Sequence, residues 1–93
     1  MKAKLLARRR ISVSDDAFVD VVIWNVPEPV KGSSHDYKYS LAYVVREICV
    51  LRYDNEAGKG DHMHIGDVER PYVFTTIDRL ISDFLVQVRK DGR

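Results

Sequence analysis

Cysteine is almost missing from this chain. Cys49 is the only one, so no disulfide can close within the chain, and the composition suits a reducing compartment. Long apolar runs are missing too. The longest hydrophobic stretch, Phe18 to Val26, is interrupted by Asp20 and Asn25 and falls well short of the roughly 18 apolar residues of a membrane span. The opening segment, Met1 to Arg10, sets Leu5 and Leu6 among Lys2, Lys4, Arg8, Arg9 and Arg10, which is not the apolar core of a secretory signal. These absences predict a soluble, cytoplasmic protein with no membrane partner. Excess charge is lacking as well: the net charge is +1, so any polyanion partner must be met by a local patch rather than by the whole molecule.

What is present is one domain. At 93 residues the chain has room for no more, and no internal repeat or linker divides residues 1–93. Hydrophobic residues at 45% and charged residues at 31% fit a globular chain rather than a disordered one. Residues 1–10 read as a flexible basic terminus or an edge element. Ser14-Asp15-Asp16 marks a turn. Phe18 to Val26 is rich in β-branched and aromatic residues, which predicts a central strand ended by Pro27 and Pro29. Tyr37 to Val45 alternates, with Tyr37, Tyr39, Leu41, Tyr43 and Val45 on one face. A further strand follows from Ile48 to Tyr53, although Arg46-Glu47 matches poorly the turns that hairpins favour. Glu69 to Phe74 reads as an edge strand because of Pro71.

The clearest element is the last. Ile77, Leu80, Ile81, Phe84, Leu85 and Val88 form one stripe of an amphipathic helix. Thr75 or Thr76 caps its start, Arg89 and Lys90 suit its negative end, and Gly92 is a terminator. The expected fold is α+β: an antiparallel sheet of four to five strands with the C-terminal helix packed on one face.

Chemistry concentrates in Arg52-Tyr53-Asp54-Asn55-Glu56-Ala57-Gly58-Lys59-Gly60-Asp61-His62-Met63-His64. Gly58 and Gly60 flank Lys59, which permits positive φ and an anion-binding concavity of backbone N–H groups. The spacing is not that of a Walker A loop. His62 and His64, at i and i+2 on an extended segment, point the same way. Histidine titrates near neutrality and can carry either proton of a phosphodiester cleavage, with Lys59 as the cation. Arg52 and Asp61 would join Gly58 and Gly60 at the phosphate, and Tyr53 could stack on a base. Asp54 and Asn55 belong to the same binding group, or simply make side-chain turns. A metal site is the competing reading: His62 and His64 with Asp61 or Asp54, needing one more ligand, for which His35 is the only other histidine. Tyr37, Tyr39, Tyr43 and Trp24 read as packing residues.

Lys38-Tyr39-Ser40-Leu41-Ala42-Tyr43, the run from Arg52 to His64, Pro71-Tyr72-Val73-Phe74 and Asp83-Phe84 together resemble the TumE-type toxin family of prokaryotic toxin–antitoxin systems. Ser40 stands where that pattern would have arginine. The resemblance implies a toxin paired with a cognate antitoxin protein of the helix-turn-helix kind. By analogy with other small toxins, it implies a ribonuclease acting on mRNA or other RNA, at times on the ribosome. The expected function is thus a metal-independent ribonuclease, with Lys59, His62 and His64 catalytic and no cofactor. A non-catalytic RNA-, ribosome- or partner-binding protein is the first alternative, and a metal-dependent nucleotidyl enzyme the second. A homodimer is compatible with all three.

Overall fold

The computed structural model describes residues 2–90. Six strands form one antiparallel sheet: β1 Lys4–Ser14, β2 Ala17–Asn25, β3 Tyr37–Val45, β4 Ile48–Asp54, β5 His62–Ile65 and β6 Val68–Pro71. Each pairs with its neighbour in sequence, which makes the sheet a meander. The helix α1, Ile77–Lys90, closes the described chain. The α+β class agrees with expectation, and the strand count is higher. None of the helices among the described residues is long and apolar enough to cross a membrane.

The additional strands have identifiable causes. β1 is exposed along nearly its whole length, so it lacks the alternation that marks a half-buried strand. It is held by β2, with Arg9 opposite Val21 and Ile11 opposite Val19. Arg10 forks onto Asp20 at 2.7 and 2.9 Å and lies 4.1 Å above the Phe18 ring. Arginines along an edge strand also discourage pairing with another chain. β5 and β6 are joined by Gly66-Asp67, with Ile65 opposite Val68, and Gly66 takes the positive φ that such a turn needs. β6 ends at Pro71, earlier than expected, and Tyr72 and Phe74 leave the sheet to pack against its core.

The core lies on one face. Ala17, Val19 and Ile23 of β2, Tyr39, Leu41, Tyr43 and Val45 of β3, and Leu51 and Tyr53 of β4 are buried there against Leu80, Phe84 and Val88 of the helix. Phe84 meets Tyr53 edge-on at 5.7 Å. Burial of each large side chain is worth about 1.5–3 kcal/mol, so this helix stripe holds the sheet's shape. Thr76 supplies the cap, accepting the Arg79 N–H at 3.1 Å. Gly92 lies outside the described residues. The β3–β4 turn is the two-residue connection Arg46-Glu47, with both residues at positive φ, 50° and 67°. Asp16 secures it, accepting the Arg46 backbone N–H at 2.7 Å and the guanidinium at 2.9 Å.

Candidate functional site

Residues directly opposite in an antiparallel sheet share a face, so the pairings locate the site. One row across the strands reads Arg10, Asp20, Ala42, Arg52, His64, Glu69. The adjacent row on that face reads Arg8, Val22, Ser40, Asp54, His62, Pro71. Both rows lie on the face away from the helix. Arg52, Asp54, His62 and His64 therefore stand side by side on the uncovered side of the sheet. Arg52 is exposed and His64 half-buried.

His62 is the most constrained of these groups, with its side chain only 5% exposed. Its Nδ1 stands 2.9 Å from the Gly60 carbonyl oxygen, an acceptor, so Nδ1 carries a hydrogen. Its Nε2 stands 2.8 Å from Asp54 Oδ1 and 3.8 Å from Glu69 Oε1. Asp54 Oδ1 is buried, and the 2.8 Å approach lacks hydrogen-bond geometry, so this is a close polar contact rather than a linear bond. The His64 ring sits edge-on to His62, 4.8 Å between centroids. A pocket of ≈ 230 Å³ opens here, lined by Lys59, Asp61, His62, Glu69, Arg70 and Pro71. The larger hollow, ≈ 530 Å³, lies at the turn ends near Arg10, Asp16 and Arg46 and contains no histidine.

The glycine loop does different work from the anion cradle that its sequence suggests. The Gly58 N–H donates to the Lys31 carbonyl at 2.7 Å, and the Lys59 N–H to Glu56 at 3.1 Å. Those amides are therefore already used. Gly60 is buried against Gly32: a Cβ on Gly32 would come within 2.7 Å of the Gly60 nitrogen, and one on Gly60 within 2.8 Å of the Gly32 carbonyl oxygen. The two glycines let the β2–β3 loop and the β4–β5 loop touch through bare backbone. Lys59 remains as an exposed charge, 3.8 Å from Glu56.

Three other expected binding residues are inward-facing. Tyr53 is 2% exposed, wedged against Tyr72 and Phe84, and offers no face for a base. Asn55 is 1% exposed. Its amide accepts the Tyr39 N–H at 2.9 Å and donates to the Tyr37 carbonyl at 2.6 Å and to Ser33 Oγ at 3.3 Å. It continues the sheet's hydrogen-bond ladder by one side chain past the end of β4. Asp61 accepts from Ser33 at 2.6 Å, from Tyr39 at 2.7 Å and from His35 at 2.7 Å. Tyr39 belongs to the core face, so the Asp61 carboxylate is engaged on the side of the sheet away from the histidine pair. His35 is saturated as well. Its Nδ1 accepts the Tyr37 N–H at 3.2 Å, which leaves Nε2–H for Asp61, and its ring stacks on Phe74 at 3.8 Å. Of the two carboxylates weighed for a metal, only Asp54 stands with the histidine pair.

Burial pushes the Asp61 carboxyl up, but the bonds from Ser33, Tyr39 and His35 outweigh it and hold the group below the ordinary carboxylate range. A depressed folded-state value contributes stability that is present above the unfolded value, about 3.9, and is lost as pH falls through the folded one. Asp61→Asn is therefore expected to cost about 1–3 kcal/mol at neutral pH. The gap to wild type should close in strong acid, as read from urea midpoints across pH. A gap that stays constant with pH would show that the charge is not the cause.

Glu69 was not legible as a site residue. Its signal was the Gly66-Asp67 turn, which folds β6 back on β5 and sets Glu69 opposite His64. No curated protein and no solved structure matches the chain. One family model does, described as Toxin TumE, and it matches residues 2–91. That span includes every strand, the helix and the whole histidine face, so the match covers the complete architecture and not one motif: the chain belongs to the TumE toxin family.

Proposed function

We propose that this toxin, the partner of a cognate antitoxin, acts by breaking RNA phosphodiester bonds at the Asp54–His62–His64 centre. One observation carries the reading: the register sets Arg52, Asp54, His62 and His64 on the sheet face that the helix leaves uncovered. A chain of nucleotides can reach that face. Arg8, Lys38 and Arg52 lie along it, and Lys59 and Arg70 border the pocket beside His62. Cations so placed favour the charge that develops on the phosphoryl oxygens.

The reaction passes the ribose 2′-OH proton to a base at this centre. A bond then forms from O2′ to phosphorus, the bond from phosphorus to O5′ breaks, and the leaving oxygen takes up a proton. No water is consumed, and the products are a 2′,3′-cyclic phosphate and a 5′-hydroxyl. A route with no metal would divide the two proton roles between His62 and His64. It would require His62 to release Gly60 or Asp54, because neither of its ring nitrogens is open to a substrate. His64, half-buried at the edge of the pair, has the freer approach.

The test is incubation of purified toxin with RNA, supplied with divalent metal, followed by analysis of product ends. New fragments ending in 2′,3′-cyclic phosphate, suppressed by the antitoxin, are the expected result. RNA that stays intact while binding in a salt-sensitive way would make the protein a binder and overturn the reading.

A further inference from the structure

We infer that Asp54, His62 and His64 form a site for one divalent transition-metal ion, zinc by its donor set, with Glu69 as a fourth ligand. The use of the ion in RNA cleavage rests on the function proposed above; its binding does not.

His62 and Asp54 bring together a pair of atoms that should repel. His62 Nδ1 gives its hydrogen to the Gly60 carbonyl, so in the neutral ring the lone pair is on Nε2. That nitrogen faces Asp54 Oδ1 at 2.8 Å, a buried oxygen without a hydrogen bond. Two electron-rich atoms at this distance call for a cation within reach of both. A proton would produce a straight N–H···O bond, which the geometry lacks. A metal ion bound by both atoms does not require the oxygen to lie on the nitrogen's lone-pair axis, which agrees with the missing hydrogen bond. The ligand atoms of Asp54, His62 and His64 lie within 4.8 Å of one another. In a tetrahedral zinc site, bonds of about 2.0–2.2 Å put ligand atoms roughly 3.3 Å apart. Reaching that spacing takes a small retreat of Asp54 Oδ1 from the 2.8 Å contact and a side-chain rotation of half-buried His64 toward it. Glu69, with its Oε1 3.8 Å from His62 Nε2 and its side chain half exposed, can swing to the same point.

The supporting shell is already in place. Histidine ligands of metals usually donate their second ring N–H to a carbonyl or carboxylate, which fixes the tautomer; Gly60 does this for His62. Gly60 in turn is held by its contact with Gly32. Two imidazoles with carboxylates favour zinc, or manganese, over magnesium, which prefers oxygen alone. The exposed side of the cluster leaves a coordination position for water or a phosphoryl oxygen. An ion there would polarise that oxygen and lower the pKa of bound water.

The experiment is titration of chelator-treated toxin, without RNA, with Zn²⁺ by calorimetry and with Co²⁺ by visible absorption. One ion per chain, tetrahedral cobalt bands and a raised unfolding midpoint are expected. His64→Ala and Asp54→Asn should each weaken zinc binding by at least about 10-fold, with folding checked by circular dichroism. Glu56→Gln, outside the cluster, should not weaken it. Absence of saturable uptake by the folded wild type, or uptake undiminished in the folded ligand variants, would overturn the proposal. Because no RNA is present, failure here leaves the ribonuclease reading standing, and failure to cut RNA leaves the ion site standing.

Discussion

His64→Ala is expected to lower RNA cleavage by about 10²–10⁴-fold, the range for losing a positioned acid, base or ligand at a reacting centre, and to abolish growth arrest. This position separates chemistry from folding. His64 is half-buried, and its one specific contact among the described residues is the ring edge of His62. Truncation leaves no buried polar atom without a partner, so the cost in stability should stay below about 1 kcal/mol. His62→Ala is the less informative change, because it also strips the buried Asp54 oxygen of its nearest polar neighbour. Growth of cells expressing each variant, with total RNA examined, checks the expectation. Full toxicity of a folded His64→Ala protein would remove the site from the function.

Gly60→Ala is expected to cost at least about 3 kcal/mol, a large share of the 5–15 kcal/mol available to a typical domain. Two effects add. Gly60 has φ of 73°, where an L-residue is strained by roughly 1–2 kcal/mol. Its Cβ would also stand 2.8 Å from the Gly32 carbonyl oxygen, backbone that cannot rotate away. Gly58→Ala is the internal comparison: φ is 87°, yet no atom lies within 4 Å of the added carbon. It should cost only the conformational part, about 1–2 kcal/mol. Urea unfolding of both variants checks the difference. Equal losses would show that the glycine-to-glycine contact contributes nothing. Since Gly60 also orients His62, the folded fraction of Gly60→Ala should bind zinc more weakly than Gly58→Ala does.

The elements read most reliably from sequence were those whose pattern records burial. The Tyr39–Val45 alternation and the Ile77–Val88 stripe both describe surfaces facing the same core, and both stand where periodicity put them. β1 reads from sequence as either a flexible terminus or an edge element, because an edge strand exposed on both faces has no alternation to show. β5 escaped recognition because it is only four residues long and follows directly on the glycine segment, so His62–Ile65 reads as its continuation. The candidate site stands out in the sequence as a dense string of titratable residues. What each residue does is not legible there. Asn55, Asp61 and Tyr53 are as polar as a binding loop would require, yet their partners lie 16 to 28 positions earlier for the first two and on the helix and in the segment before it for the third. Only the pairing register shows which side of the sheet each one serves. The same register explains how Ser40 and Glu69 reach the histidine face from strands with no reactive motif of their own.

The meander also sets an order of assembly. Because each strand pairs with the one made just before it, the sheet can grow in the direction of synthesis without waiting for a strand made much later. The histidine pair is assembled only when β5 docks on β4, late in that sequence. The helix that packs Phe84 on Tyr53 comes after all six strands in chain order. A nascent chain therefore passes through a stage with its histidine face built and its aromatic core still bare. In that interval the molecule is most exposed to aggregation.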